Sequence, residues 1–147
     1  MSDSQILFFT ENCTFKLPDK TILRKWISNV ISAKKSIQGP ISFIFCDDEY
    51  LHKMNVEYLD HDTLTDIISF DYTENNTISG DLFISYQRVK ENAKSLNIIA
   101  LKELHRIMIH GVLHLLGHKD KTPTDKIAMT QAEDQALIIL EQLLSEK

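Results

Sequence analysis

The chain has 147 residues, 43% of them hydrophobic and 25% charged, with 4 Gly and 3 Pro. That length suits one globular domain, and the composition excludes collagenous and low-complexity chains. Lys and Arg number 16 against 21 Asp and Glu, a formal net charge of −5, so a general polyanion binder is excluded as well, because phosphate contacts need clustered cations.

Residues 5–10 (QILFFT) read as a short buried strand. Residues 19–37 predict a helix, with Ile22, Leu23, Trp26, Ile27, Val30 and Ile31 recurring at spacings of three and four. Asp19 is the expected N-cap and Gly39-Pro40 the expected stop. A second strand is predicted over residues 41–46, and a short helix over 47–58 opens on two acidic residues that suit a helix N-terminus. Strands are predicted over 66–72 and 78–85, the latter with Gly80 marking a bulge or a close backbone approach. A polar helix is expected over 86–95 and a longer one over 100–116. The last helix opens at Thr122-Pro123 with Asp125 at its third position, a favourable N-terminal set. The sum is a small single-domain α/β (α+β) protein: a mixed sheet of about four strands packed with helices, and a zincin-like metal helix in the C-terminal half.

Cys13 and Cys46 are too few for a disulfide framework and read as two buried thiols. The first dozen residues lack a basic leader, and no apolar stretch approaches the ~20 residues that span a bilayer. The expected location is the cytoplasm, with no membrane partner.

The chemistry concentrates in His110-Gly-Val-Leu-His114-Leu-Leu-Gly117-His118-Lys-Asp120. On a helix, four residues turn through about 400°, so the imidazoles of His110 and His114 stack on one face. That spacing lets both reach one metal ion at ~2.0–2.1 Å. Gly117 permits a left-handed residue that ends the helix, and the turn lets Asp120 fold back beneath the pair. His110, His114 and Asp120 are therefore the expected ligands of one zinc ion, with the fourth position open as in catalytic sites. His118 is the rival third ligand. His105 lies about 140° around the helix from His110 and reads as a surface or outer residue, while His52 and His61 read as exposed. A zincin would carry Glu after the first His as its general base. Gly111 stands there, so any separate base must come from elsewhere in the chain.

The segment resembles the YbeY family, bacterial single-strand-specific endoribonucleases that mature ribosomal RNA. His110, Gly111, Leu113, His114, Leu115 and Gly117 match its H-G-x-L-H-L-x-G pattern. N-V-E-Y-L-D-H-D-T-L-T-D-I-I-S-F at 55–70 resembles N-x-x-Y-R-x-x-D-x-P-T-D-V-L-S-F, and 80–85 resembles G-D-I-x-I-S. Met129 and Glu133 fit its last helix. Three positions depart. Asp120 stands where the family carries His, an acceptable change because carboxylate oxygen also binds zinc. Leu59 stands where it carries Arg, and Leu cannot clamp a phosphate bidentately. Leu64 replaces a Pro.

The resemblance implies a zinc-dependent endoribonuclease in 16S ribosomal RNA maturation, with single-stranded and ribosomal RNA as partners and ribosomal proteins as further candidates. Thr65, Asp66 and Ser69 match the family motif. Asp66, Ser69 and His118 are candidate catalytic residues; Thr65, Asp66, Arg88 and Arg106 are candidate substrate contacts, with Lys34 and Lys35 extending a phosphate track. Two other readings stay open: a metallohydrolase acting on an amide, and a ribosome-associated factor with a structural metal.

Overall fold

The computed structural model describes residues 5–59 and 65–147. Nine elements follow in order: β1 (Ile6–Thr10), α1 (Lys20–Ala33), β2 (Ile37–Cys46), α2 (Asp48–Leu59), β3 (Ile67–Asp71), β4 (Thr77–Ser85), α3 (Tyr86–Leu96), α4 (Ala100–Leu115) and α5 (Pro123–Ser145). The strands form one sheet in the order β1-β2-β4-β3. β1, β2 and β4 run parallel, and β3 is antiparallel to β4. Parallel neighbours need long crossovers, here supplied by helices. The predicted mixed four-stranded α+β sheet is the one that forms.

The two faces of the sheet are covered unequally. Ile41, Phe43, Phe45, Leu82 and Ile84 point into the main core, which α1, α3, α4 and α5 close with Leu23, Trp26, Ile27, Val89, Leu104, Met108, Val112 and Leu140. The opposite face carries a smaller cluster of Cys46, Leu51 and Ile68 beneath α2, with Tyr50, Met54, Phe70 and Phe83 packed against it. Cys13 and Cys46 are both free thiols, Cys46 buried and Cys13 partly so.

Two local expectations for α1 are corrected. Asp19 does precede the helix, but in the left-handed region (φ 59°) and with no capping bond from its side chain. Its carboxylate instead accepts from Lys147 Nζ at 3.1 Å, because that backbone conformation turns the oxygen away from the first-turn amides. The helix also ends at Ala33, well before Gly39-Pro40. Lys35 takes φ 59° and Ile37 already pairs with Thr77, so Gly39 and Pro40 lie inside β2. Proline has no N–H for the ladder, and the register of β2 against β4 slips between Gln38 and Ile41.

Gly80 is a close approach, as its place in a strand suggests. A Cβ there would lie 2.6 Å from the Phe70 carbonyl oxygen and 2.9 Å from Leu115 Cδ2. Leu115 can move, but the Phe70 carbonyl belongs to the β3–β4 ladder. Gly80→Ala is therefore expected to destabilise the protein by about 2–3 kcal/mol, the upper part of the range for overpacking. Urea unfolding of the variant beside the wild type checks this, and a loss under about 0.5 kcal/mol, the size of an ordinary surface change, would contradict it.

α5 starts as expected. Thr122 Oγ1 accepts from the Asp125 amide at 3.0 Å, Asp125 accepts from the Thr122 amide at 3.2 Å, and Pro123 occupies the first turn. This capping box fixes where α5 begins and hence which of its side chains face α4.

Candidate metal centre

α4 brings the two histidines to the end of the helix layer. Its turn-by-turn line of Leu104, Met108, Val112 and Leu115 is buried against the sheet. Gly111 lets the helix approach closely: a Cβ there would sit 2.9 Å from Ile67 Cδ1 and 3.0 Å from Leu82 Cδ1. His110 and His114 lie one turn apart; His110 is half-buried and His114 exposed.

The helix then stops as its glycine predicts. Gly117 has φ 102° with open space around its Cα, so glycine serves the backbone conformation rather than packing. The Gly117 amide donates to His114 O and the His118 amide to Leu113 O, both at 3.0 Å. This is the paired bonding of a Schellman stop. The reversal carries Asp120 back toward the helix, with Asp120 Oδ2 3.7 Å from His110 Nε2 and Oδ1 3.8 Å from Lys126 Nζ.

His110 is held from behind. Its Nδ1 lies 2.6 Å from Glu133 Oε2 on α5. Glu133 is buried, and Arg106 Nη1 donates to its other oxygen at 2.7 Å. Arg106 Nη2 also donates to Asp134 Oδ1 at 2.6 Å. The hydrogen bond to Glu133 raises the pKa of His110 against the lowering effect of burial, and the charges of Glu133, Asp120 and Asp66 add to the rise. Glu103, seven residues before His110 on the same helix, is buried with Oε1 unpartnered among the described residues.

The donor set suits zinc in part. His110 Nε2 and Asp120 Oδ2 are the right atom types, and two zinc ligands at tetrahedral angles stand about 3.3 Å apart, close to the 3.7 Å observed. Among the described residues, however, no three His, Cys, Asp or Glu side chains are already gathered into a group that could hold a metal. His114 is the exposed one of the two helix histidines. Its ring is solvated, and no hydrogen bond among the described residues anchors it as Glu133 anchors His110.

The other named residues fall as follows. His118 is half-buried, with its pKa lowered by burial first and by Lys34 second, so its surroundings are the end of α1. Thr65 Oγ1 donates to Ile67 O at 3.3 Å, a local turn contact. Asp66 both anchors backbone and faces the site. Burial raises its pKa, opposed in order by its own amide, His110, the Ile67 amide and Arg88, and Asn92 Nδ2 donates to its Oδ2 at 3.2 Å. Ser69 pairs with Leu82 in the ladder and alternation puts its side chain on the same side as Ile67, facing α4.

Arg88 and Arg106, the candidate substrate contacts, are each paired with carboxylates of the protein. Arg88 Nη2 donates to Asp48 Oδ2 at 2.7 Å, and Arg106 bridges Glu133 and Asp134. Leu59 ends α2 and is 42% exposed; His61 and Leu64 lie outside the described residues.

His105 is corrected from surface to core. It is 7% exposed and packs edge-on to Trp26, with ring centroids 6.1 Å apart. Burial pushes its pKa down to about 4, and the Asp19 carboxylate opposes this only in part. The unfolded imidazole, at about 6.5, binds a proton more readily than the folded one, so this contribution to stability falls as pH drops from about 6.5 toward 4 and levels off below. Between pH 7.5 and 5 the group is expected to remove about 2 kcal/mol of stability. Unfolding curves at both pH values check it: His105→Gln should shrink the difference by about that amount, and an unchanged pH slope would contradict it.

A four-stranded α+β sheet thus carries His110, the returning Asp120 carboxylate and the Glu133 contact together at one helix end. The family profile of endoribonuclease YbeY matches residues 9–141. The chain is 50% identical over 129 residues to the endoribonuclease YbeY of Flavobacterium johnsoniae, covering 88% of this chain and 93% of the relative. It is 51% identical over 139 residues to that of Christiangramia forsetii, covering 95% and 96%. The chain belongs to the endoribonuclease YbeY family. The fold is also that of the solution structure of TM1509 from Thermotoga maritima, at TM-score 0.65 and 20% identity over 96% of this chain and 90% of that one.

Sequence reasoning placed Glu133 in a family pattern but gave it no role. Its helical position opposite Arg106 and His110 appears only once α5 packs on α4. Among the described residues no helix is long and apolar enough to cross a membrane.

Proposed function

We propose that this protein is a zinc-dependent endoribonuclease that cleaves single-stranded ribosomal RNA in the cytoplasm, in maturation of the 16S species. The observation that carries the reading is the His110–Asp120 approach at 3.7 Å, braced through Glu133. His110, His114 and Asp120 would hold one zinc ion. Zinc, when bound, supplies Lewis acidity toward a phosphoryl oxygen and makes water a better nucleophile near neutral pH.

The chain's own groups do the rest. Glu133 orients His110. Asp66, a carboxyl whose pKa burial raises and the charge of His110 lowers, is the candidate to hold or move a proton. The exposed Lys34 and Lys35 at the end of α1 can meet the phosphate chain near His118. A structural zinc would be closed by four protein ligands. His118 is the candidate fourth ligand, and a metal closed by all four side chains would favour the structural reading.

Treatment with a chelator is expected to abolish cleavage of a single-stranded ribosomal RNA fragment, and added zinc to restore it. Full activity of protein shown to be metal-free by elemental analysis would end the zinc reading. Metal-dependent hydrolysis of a peptide, with RNA left intact, would move the assignment to amide chemistry.

A further inference from the structure

We propose that Arg106 and Glu133 form a lock on the His110 ring, which makes Glu133 a positioning residue that sets metal affinity and Arg106 its clamp rather than a phosphate contact. The inference rests on the zinc-site reading above and deepens it.

The geometry carries the argument. A carboxylate can only accept, so in the proposed lock the 2.6 Å approach of Glu133 Oε2 puts the proton on His110 Nδ1. In the neutral ring the lone pair then sits on Nε2, the nitrogen that faces Asp120 Oδ2. The other neutral tautomer would put the proton on Nε2 and block it as a ligand. Glu133 thus selects the one neutral ring form that can bind a metal from the side where Asp120 stands.

Glu133 is itself kept from turning. Its side chain is 9% exposed, and Arg106 holds Oε1 at 2.7 Å while reaching Asp134 with the second arm of its fork. Arg106 and His110 are four apart on α4, and Glu133 and Asp134 are neighbours on α5. Two helices are therefore tied together by one arginine, with the glutamate between the clamp and the ring. Lysine in place of Arg106 could not span both acids in this way.

The test is zinc binding by the full chain, measured by competition with a chromophoric chelator, together with nitrogen NMR of the His110 ring at a pH where it is neutral. Glu133→Gln is nearly isosteric and should weaken zinc binding by about 10–100-fold, the usual cost of losing such an outer partner. The NMR signature of the zinc-free protein should change from the pure Nδ1–H form to a mixture. Glu141→Gln, an exposed carboxylate about two turns further along α5 and outside the lock, should leave both readouts within about twofold of wild type. Should Glu133→Gln not fold, Arg106→Met loosens the same lock from the other side and is expected to shift the tautomer in the same direction.

Wild-type zinc affinity and an unchanged Nδ1–H ring in a folded Glu133→Gln protein would overturn the lock. Absence of zinc binding by the wild type itself would instead overturn the metal reading, and the ring tautomer would still decide whether Glu133 positions His110.

Discussion

His110→Ala is expected to lower the rate of RNA cleavage by about 1,000-fold, equivalent to about 4 kcal/mol of transition-state stabilisation. The substitution removes the one imidazole that is both braced by Glu133 and aimed at Asp120. It also leaves Glu133 with Arg106 as its remaining charged partner. The measurement is cleavage of a single-stranded ribosomal RNA fragment by wild type, His110→Ala and His114→Ala, all purified identically. Matched purification separates the protein's own activity from a contaminating ribonuclease. Activity in the wild type alone would also establish that Leu59 does not abolish the chemistry. Equal cleavage by all three would remove the metal helix from the mechanism.

The largest effect on stability is expected at Trp26. Its indole is fully buried, and Nε1 donates to Ala136 O at 2.7 Å, joining α1 to α5 across the core. Trp26→Ala should cost about 3–5 kcal/mol, the range for emptying a large aromatic site. That is a large part of the roughly 5–15 kcal/mol that holds a domain of this size. Trp26→Phe keeps most of the volume but loses the donor, and should cost about 1–3 kcal/mol through the lost hydrogen bond, which leaves the Ala136 carbonyl with its partner in α5, and the smaller ring. Urea denaturation of the three proteins decides this. A Trp26→Ala loss below about 1 kcal/mol would show that the core collapses around the gap, contrary to its close packing. The two sites are linked, since α5 also carries Glu133, so a loosened α1–α5 joint is expected to weaken the brace on His110.

Much of the candidate site is legible in the order of residues because its rules are local. The step between His110 and His114 is set by helical pitch. The stop at Gly117 is set by which residue tolerates a left-handed backbone, and the return of Asp120 follows from that turn. The capping box at Thr122 and Asp125 is equally local. So are the hydrophobic periods that mark four strands and the helices around them, which is why the α+β class is legible in the residue pattern.

Other features depend on which distant segments meet. Asp19 has the right residue type for a cap but the wrong backbone conformation, and its partner is the last residue of the chain. Gly39-Pro40 has the composition of a helix stop, yet pairing with β4 draws it into a strand. His105 reads as polar surface until α1 sets Trp26 against it. The carboxylate partners of Arg88 and Arg106 come from Asp48, Glu133 and Asp134, on other helices. Residue order alone determined the fold class and the turns that carry His110, His114 and Asp120, because backbone conformation and helical spacing act over a few residues. Only the tertiary structure decided the partners of charge and the brace on His110, because electrostatic contact depends on distances between residues far apart in the chain.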